Sequence, residues 1–182
     1  SGATNATLSV SNVQGGSMGN YSVVVSNANG PTTSSNALVS LWPLVVWGRT
    51  NYGQTTIPGG LSNVVTVAGG LYHSLASRAD GTVTAWGAGM TNSGTSPQLG
   101  QAIVPSGLSN VLAVSGGYYH SLALRSDGTV AAWGAGTNNT GSTPYVGQAI
   151  VPGGLSNVVA IGAGVYHSLA LRNDGSVVAW GY

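Results

Sequence analysis

The side chains of this sequence with the chemistry for acid–base work are histidine, serine and aspartate, and they recur together. His73, His120 and His167 stand 47 residues apart, as do Asp80, Asp127 and Asp174, and Arg78, Arg125 and Arg172. Each histidine is followed by a serine, so a Ser–His–Asp constellation for acyl transfer is present in each copy. Neighbours on a strand point to opposite faces, so His73 and Ser74 are badly placed to share a proton. Each aspartate precedes a glycine in a turn signal, where its carboxylate bonds nearby backbone. A residue kept in every copy of a repeat serves the repeat. The chain is therefore expected to be no enzyme, with no catalytic residues, no metal site and no cofactor. Each histidine is expected to hydrogen-bond the next unit instead.

Composition narrows the function classes further. Charged residues make up 4% of 182 residues, hydrophobic residues 42%, and the net charge is +1. The hydrophobic content argues for a folded core. Four arginines spread along the chain assemble no basic patch, which excludes nucleic-acid binding driven by phosphate contacts. There is no Lys, Glu or Cys, and the only charge outside the repeated set is Arg49. Without cysteine there is neither a disulfide framework nor a thiolate metal site. No apolar run reaches the length of a membrane span. The first residues are small and polar, unlike a signal peptide. Low charge with abundant Gly, Ser, Thr and Asn leads to an expected extracellular or cell-surface location.

Tryptophan–glycine pairs punctuate the chain at Trp47, Trp86, Trp133 and Trp180, at intervals of 39, 47 and 47 residues. Within a unit, Tyr119–Arg125 and Thr129–Trp133 flank an Asp-Gly hairpin signal. A strand over Asn110–Val114 precedes them, and a fourth short segment, Gln101–Pro105, comes before that. Apolar residues lie on both faces of these strands, so each sheet is expected to be covered on both sides. Four short strands per unit and one sheet per unit is the content of a propeller blade. The fold class is thus all-β: three four-stranded blades forming an incomplete ring over 47–182 (units 47–86, 87–133 and 134–180), a linker over 41–46, and a different segment over 1–40. Trp86, Trp133 and Trp180, with the periodic His and Asp residues, are assigned to the structure of the repeat.

The units resemble the regulator-of-chromosome-condensation repeat. The resemblance is carried by Val-Pro-x-Gly-Leu-Ser-Asn-Val at 104–111 and 151–158, by His-Ser-Leu-Ala-Leu-Arg-x-Asp-Gly at 120–128 and 167–175, and by the closing Val-x-Ala-Trp-Gly. The first unit departs from it at Ser77, where the others have Leu. The short units are similar to the secreted bacterial form of the family, which implies blades of a ring that binds proteins. In 1–40, Leu8–Val13 and Tyr21–Ser26 alternate. Ser17–Gly30 resembles the late strands of an immunoglobulin-like domain, with Tyr21 at the tyrosine corner and Val23 where the second Cys would be.

What does not repeat is the place to look for binding. From tryptophan to the next glutamine takes seven residues in the first unit (Trp47 to Gln54) and fifteen in the others (Trp86 to Gln101, Trp133 to Gln148). Insertions in repeat folds gather on one face, often the binding face; the alternative is a plain spacer. The inserted loops, Ala88–Gly100 and Ala135–Gly147, supply Met90, Asn92, Gln98, Asn138, Asn139 and Tyr145 as candidate binding residues. Tyr52 joins them as an unrepeated aromatic. Tyr72, Tyr119 and Tyr166 recur at 47 and read as structural. Two functions follow. The first is a secreted or cell-surface module that binds protein or glycan through propeller loops. The second is a structural subunit that self-assembles into a ring or extracellular filament through its incomplete ends. Partners are a protein or glycan ligand, and copies of the chain or the rest of a longer one.

Overall fold

The computed structural model describes residues 19–21, 24–27, 30–33, 37–39 and 44–182. The chain divides into two compact units between Pro43 and Leu44. In the first, β1 (Gly19–Tyr21) pairs antiparallel with β4 (Ala37–Val39), and β2 (Val24–Asn27) with β3 (Gly30–Thr33). Tyr21 lies on β1 opposite Ala37. The expected strand over Leu8–Val13 and residues 41–43 of the expected linker lie outside the described residues.

The second unit contains three antiparallel sheets of the same design. They are β5–β7 (Val64–Gly69, His73–Arg78, Val83–Gly87), β10–β12 (Val111–Gly116, His120–Arg125, Val130–Gly134) and β15–β17 (Val158–Ala163, His167–Arg172, Val177–Gly181). No helix occurs among the described residues. Two small hairpins intervene, β8 with β9 (Asn92–Thr95, Gln98–Leu99) and β13 with β14 (Asn139–Ser142, Tyr145–Val146).

Each central hairpin closes in the manner its Asp-Gly pair requires. Arg78 donates its N–H to Thr82, and Gly81 donates to the Arg78 carbonyl. Asp80 Oδ1 accepts from the Thr82 amide and hydroxyl at 3.0 and 2.6 Å. Gly81 has φ +78°, and a Cβ there would stand 2.9 Å from Asn110 of the next repeat. Only glycine meets both demands. The Gly81 carbonyl also accepts the Val111 N–H, so the turn of one repeat docks on the first strand of the next. Gly128 and Val158 repeat that contact.

The expectation of four strands per sheet is corrected to three. Gln101–Pro105 forms no strand. The amides of Ala102 and Ile103 are spent on the Gly89 and Gly100 carbonyls, and Pro105 has none to give. These groups cannot enter a ladder.

The core lies between the sheets. The outgoing face of one sheet (Leu75, Val83, Ala85) meets the incoming face of the next (Val111, Val114, Ala123, Trp133), with Leu108 sealing the edge. Leu124 and Val130 meet Val158, Ala170, Ile161 and Trp180 in the same way. Both faces of the middle sheet are buried, which is why its central strand β11 is buried from His120 through Leu124. Close approach is set by glycine: a Cβ on Gly117 would collide with the His120 imidazole and the Gly164 carbonyl. Gly117→Ala is expected to cost about 1–3 kcal/mol by overpacking. Gly153→Ala, where nothing lies within 4 Å, is expected to leave stability nearly unchanged. Urea unfolding of the two variants checks the difference.

Candidate functional site

The repeated polar residues build a buried relay. Ser121 Oγ and Trp133 Nε1 both donate to the Gln101 carbonyl, at 2.8 Å each. The Gln54 and Gln148 carbonyls accept the same pair from Ser74 and Trp86, and from Ser168 and Trp180. Because Ser121 has spent its proton, its oxygen is free to accept from the preceding repeat. His73 Nε2 lies 2.8 Å from it, and His120 Nε2 lies 3.0 Å from Ser168 Oγ. This network assigns the proton to Nε2 and leaves Nδ1 bare. Nδ1 of His73 and of His120 is buried without a partner. Burial lowers both imidazoles to about 4, helped by the neighbouring histidine. Each is therefore a neutral donor fastening one repeat to the next. The serine that each histidine meets is the next repeat's, not its sequence neighbour. That serine points its proton at a carbonyl, away from any nucleophilic role. The aspartates sit apart in the hairpin turns. Their carboxyls are held below the usual range by the hydroxyl of Thr82, Thr129 or Ser176.

The exposed counterpart of this relay is a strip of tyrosines. Tyr72, Tyr119 and Tyr166 each precede a relay histidine and are half-buried. Tyr72 and Tyr119 ring centroids are 5.8 Å apart, and Tyr119 and Tyr166 stack at 6.5 Å. Tyr52 extends the strip edge-on to Tyr72 at 5.1 Å. Tyr118 bridges Tyr119 and Tyr166 at 6.2 and 6.0 Å. Five phenols thus run without a break across three repeats. The Tyr72 hydroxyl is raised above its ordinary value, chiefly by the Tyr119 phenol beside it, while Arg49 pulls the other way. The 47-residue periodicity of Tyr72, Tyr119 and Tyr166 marks them as part of the repeat. Tyr72 and Tyr119 stand directly before a buried histidine, and Tyr166 before the exposed His167.

The inserted loops are ordered hairpins, each hung from a fully buried glutamine. Gln101 Oε1 accepts the Leu99 N–H at 3.0 Å, and its Nε2 donates to the Pro97 carbonyl at 2.7 Å. Gln148 does the same for Val146 and Pro144. Ser96 at the first hairpin's tip donates to the Tyr119 hydroxyl at 3.1 Å, and Tyr145 OH donates to the Gly94 carbonyl at 3.4 Å. The two hairpins are therefore linked to each other and to the strip. Among the candidate residues, Tyr52 belongs to the strip and Tyr145 to the hairpin wall. Asn92 and Asn139 are exposed but turn their Oδ1 onto the amides of Gly94 and Gly141. Gln98 is turned inward and accepts the Gly89 N–H at 2.7 Å. Met90 and Asn138 are exposed on the loops.

A family model, the regulator of chromosome condensation (RCC1) repeat, matches residues 64–93, 111–140 and 158–182. These three matches fall on the three central sheets described above. The chain shares its fold over 74% of its length with the ectodomain of the receptor kinase CR4 from Physcomitrella patens, at 22% identity and a TM-score of 0.54; the match covers 34% of that chain. Prp20p from Saccharomyces cerevisiae, which binds Gsp1p and histones, matches at 25% identity, with a TM-score of 0.48 over 81% of this chain and 33% of that one. Human WBSCR16 matches at 22% identity, with a TM-score of 0.47 over 85% and 39%. The chain spans about a third of the length of the first two. No curated protein matches it.

The relay has a pH signature. His73 and His120 titrate at about 4 in the folded chain and near 6.5 unfolded. Between these values the unfolded state binds the extra protons, so folding stability is full above pH 6.5 and falls as pH drops toward 4. Each histidine contributes about 3 kcal/mol to that loss. The aspartates add a further loss below the ordinary carboxylate range. Urea midpoints taken from pH 7.5 to 3.5 are expected to show the decline. His120→Gln, which keeps a donor but does not titrate, is expected to shrink the part between 6.5 and 4 by about half.

Proposed function

We propose that this chain is a non-enzymatic binding module, secreted or displayed at the cell surface, that recognises a protein ligand across the tyrosine strip and its hairpin wall. The observation that carries the reading is the continuous five-tyrosine strip on a rigid repeat frame. Tyrosine supplies a large amphipathic contact at low entropic cost, which suits it to recognition. The frame holds the strip before any ligand arrives, so little ordering remains to be done on binding. With Arg49 the one formal charge near it, the strip selects a neutral ligand surface through packing and hydroxyl hydrogen bonds. The low charge and the Gly, Ser, Thr and Asn content support the extracellular location. We read the three sheets as successive blades of a propeller, and 19–39 as closing strands of an immunoglobulin-like segment. Tyr21 on a paired strand supports the latter.

The test compares wild type with a Tyr72→Ser/Tyr119→Ser variant against a displayed protein library and a glycan array. Both substitutions lie at the surface, and matching unfolding midpoints confirm an intact fold. Protein hits weakened at least about tenfold by the double substitution are expected, as for the loss of an aromatic anchor. Hits confined to the glycan array would transfer the strip to sugar stacking. Hits indifferent to the substitutions would sink the site.

A further inference from the structure

The backbone beneath the tyrosine strip is committed elsewhere. The carbonyls of Tyr72, Tyr119 and Tyr166 accept the N–H groups of Ala88, Ala135 and Tyr182. The Leu71 N–H is spent on the Gly117 carbonyl. A strand added to a sheet edge needs a free row of both groups. Recognition on the strip therefore falls to the rings and their hydroxyls. Tyr119 stands in the middle repeat, between Tyr72 and Tyr166, so its place on the surface is a property of the stacked repeats.

The hydroxyls are donors in want of acceptors. Ser96 donates to the Tyr119 hydroxyl at 3.1 Å, which leaves the phenolic proton without a partner among the described residues. A helix keeps its carbonyls for its own N–H groups. A polyproline II segment has no internal hydrogen bonds, so its carbonyls are free to accept. Such a segment is also stiff before it binds, and docking on a rigid frame costs it little further entropy. Tyr52, Tyr72, Tyr119 and Tyr166 stand 5.1, 5.8 and 6.5 Å apart in turn. That gives room for about two turns of polyproline II, at about 9.3 Å and three residues each.

The strip also has a charged end. Arg78, Arg125 and Arg172 close the central strands, whereas the tyrosines stand just before the same strands begin. Arg49 is instead exposed three residues before Tyr52, and the Gly53 N–H bonds the Thr50 carbonyl at 3.0 Å in the turn between them. A single cation at one end gives a ligand a direction, because a carboxylate in it is drawn to that end.

We propose, on the reading that the strip is the recognition surface, that its ligand is a proline-rich segment in the polyproline II conformation. Its rings and stems lie along the tyrosines, its carbonyls accept the phenolic protons, and a carboxylate at one end pairs with Arg49.

The test titrates blocked peptides of about nine residues into the full chain by calorimetry. The peptides are a run of Pro-Pro-Ala triplets, the same run with an Asp or a Lys added at either end, and a Gly-Ser peptide of equal length. The proline-rich peptide is expected to bind at least about tenfold more tightly than the Gly-Ser peptide. Asp at one of the two ends is expected to strengthen binding and Lys there to weaken it, and Arg49→Gln is expected to remove both effects. Tyr119→Phe, which keeps the ring and loses the proton, is expected to weaken binding about fivefold, the weight of one hydrogen bond. Ser96→Ala, which removes only the tether to the hairpin, is expected to change it less. Equal binding of proline-rich and Gly-Ser peptides, or none, overturns the proposal. So does a Tyr119→Phe chain that binds like wild type, or a charge preference that survives Arg49→Gln. Library hits that need Tyr72 and Tyr119 but contain no proline-rich segment would leave the strip standing and sink this ligand class. Proline-rich peptides that bind undiminished to the Tyr72→Ser/Tyr119→Ser chain would sink the strip itself.

Discussion

One backbone carbonyl in each repeat sets the geometry of everything around it. The oxygen of Gln54, Gln101 or Gln148 accepts a serine hydroxyl and a tryptophan N–H together. With both lone pairs filled, the tryptophan ring is fixed in the core and the serine is turned to receive the histidine of the preceding repeat. A neutral donor in an apolar junction needs such a partner, because an unpaired polar group there is costly. The same contact explains the glycines beneath each imidazole, since no side chain fits between the ring and the next backbone. Packing, hydrogen bonding and protonation state are thus consequences of one shared acceptor.

That acceptor also decides what is left outside. Turning the histidine inward leaves the tyrosine before it on the surface. Stacking the repeats then lines those tyrosines up, so the strip is the outer record of the inner relay. Its continuity depends on repeat spacing, and its neutrality on a composition almost without charge. The surface strip and the core relay are built from adjacent residues of one hairpin.

Much of this was legible in the residues. The 47-residue recurrence located the sheets, and the Asp-Gly pairs located their turns. Strand alternation put His73 and Ser74 on opposite faces. One reading failed for a physical reason, and another left a position open. Gln101–Pro105 has a strand-like pattern, but its amides are consumed by the loop it anchors, which spacing alone cannot show. Tyr72, Tyr119 and Tyr166 are as periodic as the core tryptophans; periodicity marks a residue as part of the repeat without saying on which side of the sheet edge it lies. Strand position already pointed each histidine at the next unit, but its acceptor there, the next repeat's serine, came from three dimensions alone.

Gln101 and Gln148 have a second meaning. Each uses its backbone oxygen for the core and its side-chain amide for the hairpin that precedes it. The hairpin therefore begins and ends at fixed points on a frame that it does not help to build. Gln54 closes a much shorter link in the same way, taking the Tyr52 N–H on its Oε1. The repeat thus contains a socket: loops of different length and chemistry plug into it while the core stays unchanged. A lineage that keeps the glutamine can rewrite the surface of its inserts one loop at a time.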